Sequence, residues 1–255
     1  MMPLSHNDLW LPADWPVPGH IHAGTTTRLG GYSQAPYNRL NLAGHVGDDS
    51  DSVTRNRALL MQRLQLPAEP HWLHQTHSNR VVQIGAPASP RNADAAYTNR
   101  TNTVCTVLTA DCVPILLCNR AGTEIAAIHA GWRGLCANII NNTVDCFTAA
   151  REQLIAWIGP HISPDCYEVH ADVRNPCIDS LSATVADAFK QKSGDSWLAN
   201  LELMARIALL KAGIAEVHAS DVCTYQNREY FYSYRREKKT GRMASLIWIE
   251  HNPVS

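Results

Sequence analysis

Three short segments of the chain carry residues that are suited to binding a metal ion. They are His74-Gln75-Thr76-His77-Ser78, Thr109-Ala110-Asp111-Cys112-Val113-Pro114 and Ile128-His129-Ala130-Gly131-Trp132-Arg133-Gly134. Each segment places one soft or borderline metal ligand, His77, Cys112 or His129, at the end of an apolar run. Two imidazoles and one thiolate suit Zn²⁺ and leave a fourth position for water, which is the arrangement of catalytic zinc sites. The net positive charge at such a centre lowers the pKa of bound water toward about 7.

The wide separation of these residues leaves a structural interpretation open. In that interpretation, Cys112 is a core thiol, since free cysteine often behaves as a small buried hydrophobe, and His77 and His129 are hydrogen-bonded structural residues. The chain has eight cysteines and no CxxC pair, which indicates a reduced protein rather than a disulfide scaffold. Its first residues lack a basic segment followed by an apolar one, so we expect no secretory signal and a cytoplasmic location.

Charged residues near these segments could bind a substrate anion. Arg133 lies where a helix is predicted to begin, and helix N-termini and arginine both bind phosphate or carboxylate groups. The alternative for Arg133 is a structural salt bridge. Asp111 could accept a hydrogen bond from a ligating imidazole, act as a general base, or be an ordinary loop carboxylate. Arg57 could reach an anionic substrate group, or could lie on a solvated helix face.

Four short apolar runs, which predict strands buried on both faces, position these segments. The runs are residues 104–108, 115–118, 125–128 and 154–158. Further strands are predicted at residues 20–28, 71–77, 81–84, 216–223, 230–236 and 244–249, and helices at residues 50–64 (capped by Asp49 or Asp51), 132–149, 171–190 and 197–212. Loops are predicted at residues 32–49 and 85–103. We predict one α/β domain over residues 1–255, with an irregular segment at 1–19, a mixed sheet and helices on both faces.

Composition favours a small-molecule substrate. The chain has 255 residues, 45% of them hydrophobic, and a formal net charge of −1, so nothing in its charge indicates a nucleic-acid or membrane partner. No apolar run approaches the roughly 18–20 residues that span a bilayer. The aromatic and basic residues at 230–236 could stack a base, although a half-buried strand is the simpler prediction. The oligomeric state stays open.

Taken in order along the chain, seven motifs closely resemble those of the YfiH family, which is also labelled the laccase-domain or multicopper polyphenol oxidase family. The motifs are Thr27-Arg28-Leu29-Gly30-Gly31-Tyr32-Ser33, Pro36-Tyr37-Asn38-Arg39-Leu40-Asn41-Leu42, His45-Val46-Gly47-Asp48-Asp49, His74-Gln75-Thr76-His77, Thr109-Ala110-Asp111-Cys112, His129-Ala130-Gly131-Trp132-Arg133-Gly134 and Thr240-Gly241-Arg242-Met243-Ala244-Ser245-Leu246. The resemblance runs from about residue 20 to residue 250. One departure is Ser78, which stands where the family commonly has a glycine after the second histidine.

The resemblance implies a compact α/β fold similar to the catalytic domain of cytotoxic necrotizing factor toxins. It implies zinc, with copper as the alternative ion, bound by His77, Cys112 and His129. It also implies phosphorolysis of adenosine, inosine and methylthioadenosine, and hydrolytic deamination of adenosine. We expect Asn41 and Gln75, which lie in the shared motifs, to bind substrate.

In phosphorolysis, phosphate would attack C1′ of the ribose, with Arg133 or Arg57 screening its charge. In deamination, water activated at the metal would attack C6 of adenine, with Asp111 as a candidate for moving the proton. Neither the physiological substrate nor the balance between these activities follows from the sequence.

Three other functions stay open at this point. In the first, Cys112 is a nucleophile with His129 as its base, in an amidohydrolase acting on peptidoglycan precursors. In the second, copper oxidises phenols, which would require roughly ten His and Cys ligands in paired clusters; the chain has twelve histidines but no repeated H-x-H pair. The third is a zinc-stabilised binding module with His74 as a fourth ligand.

Overall fold

The computed structural model describes residues 9–85 and 91–251. Within them the strands are β1 Trp10–Pro12, β2 Ile21–Thr26, β3 Val81–Gln83, β4 Ala95–Thr98, β5 Val104–Thr109, β6 Val113–Asn119, β7 Ile125–Ala130, β8 Leu154–Ile158, β9 Glu168–Val169, β10 Phe189–Ser193, β11 Ser196–Ala199, β12 Glu216–Ala219 and β13 Met243–Ile249. The α-helices are α1 Ser50–Leu64, α2 Trp132–Cys136, α3 Ile139–Val144, α4 Ala171–Leu181, α5 Leu201–Lys211 and α6 Tyr234–Glu237. Short 3-10 turns lie at Arg151–Gln153, Pro164–Cys166 and Ala183–Ala188.

A six-stranded mixed sheet, in the order β12-β8-β6-β7-β4-β3, forms the centre of the fold. The pairs β12–β8 and β3–β4 are parallel and the others are antiparallel. Side chains alternate across β6: Ile115 and Leu117 pack against α2 to α5, and Leu116 and Cys118 pack against a second sheet. Every residue of β6, β7 and β8 is buried because both faces of the sheet are covered, which explains their unbroken apolar sequences.

The second sheet has the order β1-β2-β13-β5 and is covered on its outer face by α1. Asp49 caps α1 by accepting a hydrogen bond from the Ser52 amide at 2.8 Å, so of the two predicted caps the structure uses Asp49 and not Asp51. The layers therefore run from α2–α5 through the six-stranded sheet and the four-stranded sheet to α1. A small sheet of order β10-β11-β9 lies beside α4.

The compact mixed α/β fold and most central strands are as predicted, but several elements differ. The described residues form three sheets instead of one. β4 lies inside the predicted loop and β1 inside the predicted irregular segment. β10 includes the end of the helix predicted at 171–190, and β11 includes the start of the helix predicted at 197–212. Residues 71–77 form only an isolated bridge at His71, residues 132–149 form two short helices, and the aromatic run ends in α6 instead of forming a strand.

Residues 1–8 and 86–90 fall outside the described residues, so the predictions for them stand untested. The single-domain organisation and the likeness to cytotoxic necrotizing factor toxins stay predictions. Across residues 9–85 and 91–251, no helix combines the length and the apolarity needed to span a bilayer.

Glu124 joins the central sheet to the loop after α3. Its buried carboxylate accepts hydrogen bonds from the Tyr97 hydroxyl at 2.6 Å, the Thr148 amide at 2.7 Å and the Ala149 amide at 3.0 Å. These donors outweigh the effect of burial, which raises the pKa of a carboxyl, so the pKa of Glu124 is lowered.

We expect Glu124→Ala to lower the free energy of unfolding by about 3 kcal/mol, because several buried donors lose their acceptor. For a chain of this size, that loss corresponds to a fall in Tm of roughly 6–12 °C in a thermal denaturation experiment. The control is Glu152→Ala, which removes an exposed carboxylate. Equal Tm values for the two variants would contradict the structural role of Glu124.

Candidate metal centre

His77, Cys112 and His129 come together at one point, although they are far apart in the sequence. One ligand atom from each residue lies within 4.8 Å of the others. His129 is buried, Cys112 is half-buried and His77 is exposed, so the group is enclosed on one side and open to solvent on the other. The imidazole and thiolate donors fit a borderline divalent ion such as Zn²⁺, and three ligands leave a position for water or substrate. These three residues could therefore hold a metal ion.

The central sheet positions two of the three ligands. His129 lies near the end of β7, where it pairs with Pro114 of β6, and Cys112 directly precedes β6. His77 lies in the turn before β3. His77 and Asp111 have φ angles of 60° and 93°, which are uncommon for residues other than glycine. Positive φ values at and beside two ligands indicate that the surrounding structure holds these turns in place.

Asp94, directly before β4, accepts hydrogen bonds that orient His129 and the turn that carries His77. Its carboxylate accepts a hydrogen bond from His129 Nδ1 at 2.8 Å and from the backbone amides of Thr76, His77 and Ser78 at 2.7–3.1 Å. With Nδ1 engaged by Asp94, Nε2 of His129 is the nitrogen available for a metal ion. Burial alone would raise the pKa of Asp94, but its bonds to His129 and Ser78 lower the pKa well below its usual range.

Ser78 also donates from its hydroxyl to the Asp94 carboxylate, at 2.6 Å. A glycine at this position, as is common in the resembling family, would keep the backbone bond and lose this one. The departure at Ser78 therefore adds a hydrogen bond that fixes Asp94.

The charges within the group stabilise one another. Burial raises the pKa of the Cys112 thiol, but interactions with His129 and His77 outweigh burial and lower this pKa. The same pairing with Cys112, together with Asp94, raises the pKa of His129 against the opposing effect of burial. The arrangement thus favours the thiolate, which is the form of cysteine that binds metals.

Gly131 is close to two of the three ligands. A Cβ atom at this position would lie 3.1 Å from Cys112 Sγ and 3.3 Å from His77 Cδ2, so both side chains would have to shift by a few tenths of an ångström. Metal–ligand distances in well-formed sites lie within about 0.2 Å of their standard values, so shifts of this size matter for binding. The absence of a side chain at Gly131 therefore leaves room for the ligand positions of Cys112 and His77.

We expect Gly131→Ala to raise the dissociation constant for zinc by roughly tenfold, the lower end of the effect of groups that orient ligands. Competition with a chromophoric chelator measures this constant. Gly44→Ala is the matched control, because a Cβ there has no atom within 4 Å. Zinc binding that is equally tight in both variants would contradict the proposed geometry.

A cavity of about 390 Å³ lies against the three candidate ligands. This volume falls in the range of small-molecule sites. Its lining also includes Gln75, Arg133, Arg242, Tyr234 and His45. No carboxylate belongs to this lining as far as the chain is described, so the charged groups around the ligands are cationic.

The structure brings Arg133 and Gln75 to this cavity. Arg133 is exposed, with its guanidinium 4.3 Å from the centre of the Trp132 ring. It is the second residue of α2, a helix of only five residues, so the helix dipole adds little to its charge. The Gln75 amide makes two hydrogen bonds, at 2.7 and 2.8 Å, to the backbone of Leu108, which fixes this side chain at the cavity wall.

Arg57 and Asn41 lie outside the described lining of this cavity, and their contact with substrate stays a prediction. Arg57 donates through Nε and Nη2 to the carbonyl of Leu42 and stacks on the Trp72 ring, so it is also not on a solvated face. Asn41 is fully buried and bonds to Asp48 and to the Arg242 amide. Both residues hold the loop before α1 in place.

Asp111 and His74 also have other partners. The Asp111 carboxylate accepts hydrogen bonds from the Thr224 and Ser233 hydroxyls and from the Arg235 amide, so it joins the Cys112 turn to the loop before α6. The imidazole acceptor predicted there is instead Asp94. His74 lies outside the three-ligand group and its ring pairs with Asn92 at 3.3 Å.

Sequence reasoning missed Asp94, Arg242 and His45. Asp94 stands in a small polar segment with no ligand-like spacing, and nothing in the sequence links it to His129. Arg242 and His45 belong to two of the seven motifs that resemble the YfiH family. Their place in these motifs is the signal that could have identified them.

Comparison with known proteins supports the family resemblance. Residues 22–250 match the family described as multi-copper polyphenol oxidoreductase laccase. "Purine nucleoside phosphorylase YfiH" of Shigella flexneri is 48% identical over 236 residues, covering 92% of this chain and 96% of that protein. The protein of the same name from Escherichia coli K12 is 47% identical over 236 residues, with the same coverage.

Solved structures agree with this result. The crystal structure of Neisseria meningitidis protein NMB0706 superposes with a TM-score of 0.90 at 40% identity, covering 95% of this chain and all of that one. YlmD from Geobacillus stearothermophilus gives a TM-score of 0.91 at 27% identity, with 98% of each chain covered. The chain therefore belongs to the multi-copper polyphenol oxidoreductase laccase family, together with the YfiH proteins.

Proposed function

We propose that this protein is a zinc-dependent purine nucleoside phosphorylase that also deaminates adenosine. The observation that carries the proposal is the convergence of His77, Cys112 and His129 at a cavity of nucleoside size that has cationic and no acidic side chains in its described lining. The names of the 48% and 47% identical relatives support the phosphorylase part. Deamination and the choice of zinc rest on the chemistry of the donors and on the family resemblance.

Phosphorolysis breaks the C1′–N9 bond of the nucleoside and forms a C1′–O bond to phosphate, while the departing base takes up a proton. In this reaction, Arg133 and Arg242, which line the cavity, attract phosphate and screen its charge from the negative charge that develops on the base. Gln75, fixed by Leu108, keeps its part of the cavity wall rigid. Tyr234 presents an aromatic ring that is half exposed, on which a purine can stack.

His77, Cys112 and His129 would hold the zinc ion, with Asp94 fixing the orientation of His129. When bound, zinc supplies a Lewis acid that polarises oxygen atoms and makes water more acidic. Asp111 stays a prediction as the residue that moves a proton in deamination. Its three hydrogen-bond donors better suit a role in positioning the Cys112 turn.

A product assay with purified, zinc-loaded protein tests the proposal. With adenosine and phosphate, we expect adenine and ribose 1-phosphate, and without phosphate we expect inosine as the product of deamination. With inosine and phosphate, we expect hypoxanthine. Absence of all these products would overturn the proposal.

A second candidate function is supported by the Asp94–His129–Cys112 arrangement. An imidazole between a carboxylate and a thiol is also the geometry of a cysteine nucleophile with its base, as in an amidohydrolase acting on peptidoglycan precursors. A thiolate that binds zinc is a poor nucleophile, so the two functions exclude each other at this site. Activity in metal-free protein that is blocked by iodoacetamide at Cys112 would favour the second.

Copper-dependent oxidation of phenols is the third function that the sequence left open. The described residues contain one group of three candidate ligands, whereas a multicopper centre needs several such groups. We therefore propose one metal ion per chain. The proposed partners are a purine nucleoside and phosphate, with no nucleic acid and no membrane, and the proposed location is the cytoplasm.

A further inference from the structure

A second cavity, of about 370 Å³, adjoins the one at the candidate ligands. The two cavities share His45, Tyr234 and Arg242 in their linings. The second cavity adds Lys238 and Lys239, from the loop between α6 and β13. We call it the basic cavity.

The cations of the basic cavity have no ion-pair partner in the described residues. Arg242, Lys238 and Lys239 form no salt bridge there, and the nearest acidic residue along the chain, Glu237, is engaged elsewhere. Glu237 pairs with Arg28 at 3.2 Å and with Arg236 at 3.3 Å, and it accepts a hydrogen bond from Thr240 at 2.7 Å. The Asp111 carboxylate acts on Arg242, but it already accepts hydrogen bonds from Thr224, Ser233 and Arg235. Three positive charges thus line a cavity with no carboxylate in its described lining, an arrangement that favours an anionic ligand.

Arg242 is well placed to bind such an anion. It is half-buried, and its Nη1 donates to the carbonyls of Thr240 and Gly241 at 2.9 and 3.0 Å, which fixes the guanidinium. No hydrogen bond from Nε or Nη2 is found within the described chain, so this edge is available to a tetrahedral oxyanion, which arginine binds through two parallel bonds. The ammonium groups of Lys238 and Lys239 lie 5.7 and 5.8 Å from the rings of Tyr234 and Tyr37.

We propose that the basic cavity is a subsite for a phosphate group, bound by Arg242, Lys238 and Lys239 next to the candidate metal centre. This subsite rests on the proposed function, since a phosphorylase must bind phosphate. The phosphate group comes either from inorganic phosphate as the cosubstrate or from a nucleoside that carries a 5′-phosphate. Both sources share the same recognition chemistry.

Isothermal titration calorimetry of the zinc-loaded protein with inorganic phosphate tests the subsite without requiring catalysis. We expect the double variant Lys238→Gln/Lys239→Gln to raise the Kd for phosphate by about tenfold, because two charge-assisted contacts are lost. The matched control, Lys190→Gln/Lys192→Gln, removes the same charge from exposed positions on β10 outside both cavities and should change the Kd less than about twofold. Equal phosphate affinity in the two double variants would overturn the proposal.

Two further titrations distinguish the sources of the phosphate group. If the subsite takes a substrate phosphate, adenosine 5′-phosphate binds the wild type more tightly than adenosine, and the Lys238→Gln/Lys239→Gln variant loses this difference. If it takes only the cosubstrate, the variant weakens inorganic phosphate binding alone. Phosphate binding that depends on Lys238 and Lys239 in a protein that releases no base would leave the subsite standing and refute the proposed function, so the two failures are distinguishable.

Discussion

Cys112→Ala is expected to lose its zinc and all nucleoside phosphorolysis and deamination. The variant removes the single thiolate of the three-ligand group, and the two remaining imidazoles, of which His77 is exposed, hold zinc far more weakly. The metal content should fall from about one ion per chain to background in elemental analysis, and product formation from adenosine should fall below detection.

The control for this prediction is Cys146→Ala, which removes another half-buried thiol that is not part of the three-ligand group. Cys146→Ala should keep its zinc and its activity. A Cys112→Ala protein that keeps both zinc and activity would show that this thiol is not a ligand. A variant that keeps zinc but loses activity would instead favour the cysteine nucleophile.

Asp94→Asn is expected to weaken zinc binding by about 10–100-fold, the range observed when residues that orient metal ligands are replaced. An amide at this position offers one acceptor oxygen, where the carboxylate accepts bonds from His129 Nδ1, from the amides of Thr76, His77 and Ser78 and from the Ser78 hydroxyl. Both the His129 ring and the turn that carries His77 therefore lose part of their support. Chelator competition gives the zinc affinity.

The stability of the Asp94→Asn variant provides a second measurement. If zinc binds the folded state at this site, as proposed, its addition should raise Tm, and this increase should be smaller in the variant than in the wild type. Asp145→Asn, which changes an exposed carboxylate paired with Arg151, should behave like the wild type in both experiments. If Asp94→Asn binds zinc as tightly as the wild type, Asp94 is not needed to orient the metal ligands.

The sequence predicted the buried strands best, because their signal is local. β5, β6, β7 and β8 are apolar runs that begin and end within two residues of their predicted bounds. Helix α1 was predicted from its apolar spacing and from a cap at Asp49 or Asp51, of which the structure has Asp49. A strand such as β4, Ala95–Thr98, has no comparable signal. Its small residues form a strand because β7 and β3 pair with it from both sides.

Helices after residue 170 were predicted too long for a related reason. The apolar spacing continues beyond Leu181 and before Leu201, but residues 189–199 form a hairpin that pairs with β9. The number of sheets also depends on which strands pair across the molecule, as when β13 pairs with β2 and β5. Such pairing is decided by tertiary contacts that periodicity does not report.

At the candidate site, the sequence identified the ligand types but not their support. His77, Cys112 and His129 could be singled out because they follow apolar runs, and the family resemblance joined them into one set. Asp94 could not, since its contacts with His129 and Ser78 depend on how β4 packs beside β7. For Arg57, the sequence showed only a charge that suits an anion, and the hydrogen bonds that the fold makes between its guanidinium and the Leu42 carbonyl have no local signal.

X-ray absorption at the zinc edge of the purified protein tests the central claim most directly, which is that one zinc ion is bound by His77, Cys112 and His129. The account predicts about one zinc per chain, with one sulfur neighbour at about 2.3 Å and two imidazole nitrogens at about 2.0–2.1 Å. In Cys112→Ser protein reloaded with zinc, the sulfur signal should disappear. A zinc spectrum without a sulfur neighbour in the wild type, or a sulfur signal that persists in Cys112→Ser, would contradict the claim that Cys112 binds the zinc ion.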